Sequence, residues 1–186
     1  MVFAASEQQV TQTARAHRLP GDDVVVERPA YDIIELFFFA YRDFVGDPDR
    51  ILDEYGFGRA HHRVLHFVSR QPGLTIAELL DILKITKQSL NRVLKELIEK
   101  DFIESRTGVS DRRQRLLFAT QAGEELGLRL ALIQTNRINR ALEGEPEEVR
   151  ACISRFLLGM VDPGDRARVA ALSETDARGR GADTGE

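Results

Sequence analysis

A chain of 186 residues, 42% hydrophobic and 30% charged, has the length of about one domain and enough apolar mass to bury a real core. No run approaches the roughly 18 apolar residues of a membrane span, the start MVFAASEQQV lacks the pattern of a secretory signal, and a single cysteine, Cys152, excludes an intrachain disulfide and suits a reducing cytoplasm. The formal net charge of −4 argues against a wholly basic nucleic-acid-coating protein, yet residues 84–115 carry nine Lys or Arg against five Asp or Glu, leaving −8 for the rest.

Residues 1–28 show no clear period, and LPGDD breaks the one helix-like stretch before it, so a mobile N-terminal arm is expected. A first helix begins near Pro29, with Ile34, Phe37, Phe38, Tyr41, Phe44 and Val45 at helical spacing. GDPDRILDEYGFG then reads as a turn and connector that closes the 29–58 unit. A second helix from Arg59 to Arg70 offers Val64, Leu65, Phe67 and Val68 to a core, and QPG stops it. Thr75 and Glu78 match a capping box at the start of a third helix reaching Lys84.

Thr86 caps a fourth helix whose inward stripe is Leu90, Val93, Leu94, Leu97 and Ile98. Gln88, Asn91, Arg92 and Lys95 fall together on its opposite face. Two short helices joined by a tight turn, the second polar and basic outside, form the helix-turn-helix pattern. DFIESRT and RLLFAT follow as two strands flanking GVSDRRQ, a β-hairpin with a basic tip, so residues 59–120 read as a winged helix-turn-helix. Such a concentration of positive charge on an acidic body is the electrostatic footprint expected for phosphates.

Thr120 caps a fifth helix with Leu126, Leu128, Leu130, Leu132 and Ile133 on more than one face. A sixth starts at Pro146 and carries Val149, Cys152, Ile153, Phe156, Leu157, Met160 and Val161 as one stripe. Helices one, five and six offer more apolar surface than the winged unit can cover, so 121–162 is expected to dimerise with a second copy. Residues 163–186 are rich in small and polar side chains and read as a disordered tail. The expected fold is mainly α with a small β-hairpin: a winged helix-turn-helix plus a helical dimerisation region.

Over about residues 30–162 the order of elements, TIAELLDILKITKQSLNRVLKELIEKDFI and then SDRRQRLLFATQAGEEL, resembles the MarR family of transcriptional regulators. Its most specific part is the wing pattern, aspartate-x-arginine followed by a strand ending in Thr-x-x-Gly, here Asp111, Arg113, Thr120 and Gly123. The resemblance implies a dimeric winged-helix protein that binds palindromic operator DNA. It also implies repression relieved by a small, frequently aromatic ligand. On this resemblance Arg113 is the residue inserted in the minor groove and Asp111 the side chain that orients it. Arg112 and Arg115 suit phosphates, as do Lys87 and Lys95. Gln88, Asn91 and Arg92 have the chemistry to read base edges, and Thr86 and Ser89 stand at the start of the same helix. One departure is Lys84, which occupies the turn position where glycine is common.

Other constellations have plainer readings. His62 and His66 lie at i, i+4 with His61 beside them, but no Asp, Glu or Cys completes a metal-ligand set by spacing. In a dimeric regulator such histidines line an interface or a ligand cavity, and with Phe37, Phe38 and Tyr41 they form the candidate effector pocket. Cys152 sits in an apolar stripe, where a buried thiol is inert. The chain has no phosphate-cradling glycine loop, nucleophile elbow or metalloprotease motif, so neither an enzyme nor a cofactor is expected. The rival expectation is a winged-helix module whose basic patch docks an acidic protein.

Overall fold

The computed structural model describes residues 17–18, 25–26, 28–108 and 114–179. It is predominantly helical, with a small sheet placed between the helix-turn-helix and the long helices. Within the N-terminal arm, β1 (His17–Arg18) pairs antiparallel with β2 (Val25–Val26), His17 opposite Val26. Pairing by this stretch was not expected. Its physical basis is the β-branched run at Val24, Val25 and Val26, within hairpin distance of the first strand.

The first helix, α1 (Tyr31–Asp53), is longer than the sequence suggests. It passes through GDPD with Pro48 inside, where a turn and connector were expected. Proline in a helix interior costs about 3 kcal/mol. Here Pro48 is itself buried, and Ile51 and Leu52 beyond it continue the face begun by Val45 into the core. Each buried aliphatic side chain contributes about 1.5–3 kcal/mol, enough together to offset the break. Charge pairing holds the segment as well. Arg137 donates from Nε and Nη2 to Oδ2 of Asp47 at 2.9 and 2.6 Å, and Arg59 Nε donates to Asp49 Oδ2 at 2.8 Å. The connector shrinks to 54–58.

Next comes α2 (Arg59–Arg70), then the short strand β3 (Leu74–Thr75), α3 (Ile76–Leu83) and α4 (Lys87–Glu99). The expected capping box is present: Thr75 Oγ1 accepts from the Glu78 amide at 3.2 Å, and the Thr75 amide donates to Glu78 Oε2 at 2.8 Å. The Thr75 hydroxyl, donating to Glu78 Oε2 at 2.6 Å, and then the Thr75 amide hold the Glu78 carboxyl below its ordinary pKa. Lys84 closes α3 in the left-handed conformation, with φ 51° and ψ 44°, so the lysine adopts the backbone that glycine ordinarily supplies there. The turn keeps its geometry. Its last carbonyls are satisfied by the Lys84 amide on Leu80 O at 2.9 Å and by Arg63 Nη2 on Leu83 O at 3.1 Å.

Strands β4 (Ile103–Thr107) and β5 (Arg115–Ala119) pair antiparallel from Ile103↔Ala119 to Thr107↔Arg115, and β3 adds to the other edge of β5, giving the order β3-β5-β4. The Gly108 amide donates to Gln114 O at 3.0 Å across the mouth of the hairpin. The tip itself, residues 109–113, lies outside the described residues. Leu52, Val64, Leu65, Val68, Leu79, Leu90, Val93, Leu97, Ile103, Leu117 and Leu130 make up the fully buried core, where α1, α2 and α5 meet the helix-turn-helix and the sheet.

The chain continues as α5 (Gln121–Ala141), α6 (Glu147–Met160) and α7 (Arg166–Gly179). Leu126 and Leu130 of α5 are buried while Leu128 and Leu132 are exposed, so its apolar residues do occupy more than one face. The last helix corrects the expectation of a disordered tail from 163 onward. VAALSETDA has few large apolar residues, but alanine is the strongest helix former and needs little burial to be helical. Residues 180–186 lie outside the described residues.

Candidate nucleic-acid interface

The second helix of the helix-turn-helix, α4, is positioned from both ends. At its start Thr86 Oγ1 accepts from the Ser89 amide at 3.2 Å and donates to Ser89 Oγ at 2.9 Å, so these two side chains serve the cap. At its end Lys100 donates to Tyr55 O and lies over the Phe57 ring, 4.8 Å from its centroid. In the middle, His61 joins α2 to α4. Its Nδ1 accepts from the Gly58 amide at 3.1 Å, which leaves the proton on Nε2 to donate to Glu96 Oε2 at 2.9 Å. His61 thus has a structural role, stacked on Phe57 at 4.7 Å.

With its back held by Leu90, Val93, Leu94 and Leu97, α4 presents Lys87, Gln88, Asn91, Arg92 and Lys95 to solvent. Ile98 departs from its expected place in the inward stripe and is 40% exposed. The reason is a groove of about 550 Å³ between the second half of α4 and the sheet, with Ile98, Leu94, Ile76 and Leu117 as its apolar wall. Asn91 and Lys95 from the helix and Arg115 and Ser105 from the hairpin line the same groove. Two segments distant in sequence therefore bring their polar residues to one surface. Lys95 Nζ approaches Glu99 Oε1 at 3.6 Å, whereas Lys87, Arg92 and Arg115 make no ion pair among the described residues.

Ser105 and Glu99 escaped the sequence reading. The alternation that buries Ile103 and leaves Ser105 beside Leu117 was the available signal for the first. The three wing-tip residues, Asp111, Arg112 and Arg113, lie outside the described residues. On the hairpin's stem Arg106 pairs with Glu104 and covers the Phe118 ring at 4.3 Å, so it has intramolecular partners.

The candidate effector residues do not line this groove. Phe37 is half-buried with its ring 6.0 Å from that of Phe156, while Phe38 and Tyr41 are exposed on α1. His62 is half-buried, and burial followed by the neighbouring His66 holds its imidazole below the ordinary 6.5. His66 is exposed with its ring 5.2 Å from Phe67. Among the described residues no group of three or more His, Cys, Asp or Glu is placed to hold a metal ion. Cys152 is exposed, contrary to the buried thiol expected, because the described residues leave every side chain of α6 unburied within the chain. No helix of the described residues is long and apolar enough to cross a membrane.

Comparison with known proteins places this geometry in context. A family model described as the MarR family matches residues 55–114, the span from the end of the connector to the wing. The chain is 44% identical over 143 residues to the HTH-type transcriptional regulator PetP of Rhodobacter capsulatus, covering 77% of this chain and 86% of that protein. An uncharacterized HTH-type transcriptional regulator of Staphylococcus aureus is 28% identical over 90 residues, 48% of this chain and 62% of that one. Among solved structures, the transcriptional regulator SlyA has a TM-score of 0.59 at 19% identity, over 77% of this chain and 96% of that chain. Streptococcus pneumoniae FabT, crystallised in complex with DNA, has a TM-score of 0.62 at 18% identity, over 71% and 94%. These last two show a shared fold.

Proposed function

Because this chain belongs to the MarR family of transcriptional regulators, we propose that it represses transcription as a homodimer bound to palindromic operator DNA. The observation that carries the DNA reading is the groove at which exposed α4 residues meet Arg115 of the hairpin. A helix with Gln88, Asn91 and Arg92 outward fits the major groove, where amides pair with adenine and guanidinium with guanine. Lys87, Lys95, Arg112 and Arg115 then meet phosphates and fix the register, and Arg113, braced by Asp111, enters the adjacent minor groove. The neighbour crystallised with DNA has this fold, which supports the same use here.

The homodimer rests on uncovered surface. Tyr31, Leu36 and Phe38 of α1, Leu128 and Leu132 of α5, and Phe156 and Met160 of α6 are all about half or more exposed within one chain. Exposed large apolar side chains on all three helices support an interface, and a two-fold copy of the same helices covers them. Phe37, Phe38 and Tyr41 with His62 and His66 are the residues proposed to meet a small aromatic effector that relieves repression.

A mobility-shift assay on a genomic duplex pool, at low and moderate salt, tests this reading. The parent should retain a sequence-selected fraction at moderate salt. Arg92→Ala should lose about 1–3 kcal/mol on the selected site and relax its discrimination at one base position. No duplex binding even at low salt, with capture of an acidic polypeptide instead, would replace the DNA reading with that of a protein-docking module.

A further inference from the structure

The helix beyond the expected dimerisation region is fastened at both of its neighbours. At its start Arg166 reaches back to the end of α6, donating from Nε to Val161 O and from Nη2 to Gly159 O, both at 2.8 Å. These are carbonyls left without helical partners where α6 stops. Two residues on, Arg168 donates to Asp165 Oδ1 at 2.6 Å and pairs with Asp81 of α3. Asp81 in turn accepts from Lys84 Nζ at 2.9 Å, and Lys84 Nζ stands 3.8 Å from Asp165. The four groups form a closed ring of two acids and two bases between α7 and the turn of the helix-turn-helix. Lys84 and then Arg168 hold the Asp81 carboxyl below its ordinary pKa, and Asp81 holds the Lys84 ammonium above its own.

We propose that α7 is a strut that ties the helix-turn-helix turn at Lys84 to the end of α6, so that the reading helix moves with α6 and not independently of it. No side chain of α6 is buried within its own chain, so little else from this chain anchors that helix. Lys84 is two residues before the Thr86 cap, so a constraint at the turn bears directly on the start of α4. The ring is more than half exposed at Asp81 and Lys84, which makes it weak and salt-sensitive. A strut of this kind releases when ionic strength or a competing anion takes its cations.

Hydrogen exchange on the full chain without DNA tests the strut separately from the DNA reading. The parent, Arg168→Ala, Asp81→Asn and the double variant are compared at low salt, and the parent again at 1 M NaCl. Arg168→Ala should speed exchange about two- to fivefold both in the peptide covering 166–172 and in that covering 81–87, the scale of one exposed ion pair. The double variant should fall short of the sum of the two single effects, since both remove the Arg168–Asp81 contact. High salt should reproduce the variants in the parent. Core peptides of α2 serve as the control that the fold is intact. Unprotected α7 amides in the parent, additive effects of the two substitutions, or a response confined to 166–172 would each overturn the strut.

Discussion

The α-carbon of Gly123 lies so close to the Phe102 carbonyl that a Cβ built on it would stand 2.0 Å from that oxygen. Around this approach Thr120 Oγ1 accepts from the Gly123 amide at 3.1 Å and donates to Asp101 O at 2.6 Å, while the Thr120 amide donates to Phe102 O at 3.1 Å. The Thr-x-x-Gly motif is thus a clamp that sets the first turn of α5 on the turn leaving α4.

Gly123→Ala should therefore destabilise the fold by about 1–3 kcal/mol, the range for forcing atoms into a packed site. Alanine is the better helix former by about 1 kcal/mol, so propensity alone predicts the opposite sign. Urea midpoints of the two proteins decide between them. A midpoint raised by the substitution would show that the approach relaxes without cost.

Much of this was legible from residue spacing. The stripe Leu90, Val93, Leu94 and Leu97 and the capping pair Thr75 and Glu78 have local causes, and they fold as read. Pro48 was misread as a stop because the favourable term, burial of Ile51 and Leu52, comes from helices distant in sequence. The turn at Lys84 and the strand at Leu74–Thr75 likewise have partners distant in sequence, Arg63 on Leu83 O for the first and Leu117 for the second. At the interface, helical periodicity gave the exposed face of α4, but not the groove. That depends on where β5 lies against the helix, which spacing along the chain does not encode.

Acidification should weaken the fold through His62. Its folded-state pKa is depressed, so between that value and the ordinary 6.5 the unfolded chain binds the extra proton. Stability falls as pH drops through 6.5, by at most about 1.4 kcal/mol per pH unit for one proton, and the loss is complete below the folded value. His62→Gln removes this uptake. Urea melts from about pH 5 to 7.5 should show a shallower pH slope for the variant, whatever its absolute stability. Equal slopes would place the proton uptake elsewhere.

Phe156→Asp addresses the dimer. Within one chain Phe156 is half exposed and meets Phe37, so the monomer fold should survive. Across a two-fold interface the same change buries an unpaired charge, at about 3 kcal/mol or more, which weakens association at least about a hundredfold. Light scattering at micromolar concentration should give a dimer for the parent and a monomer for the variant. A monomeric parent would remove the basis for a symmetric operator.

The most direct test of the central claim is a footprint of the protein on the duplex it selects from a genomic pool. Two reading helices related by a two-fold axis should protect inverted half-sites on one face of the DNA, with centres about 10 bp apart or a multiple of that. Protection of a single asymmetric half-site, bound with full affinity, would contradict the account of this chain as a dimeric operator-binding regulator.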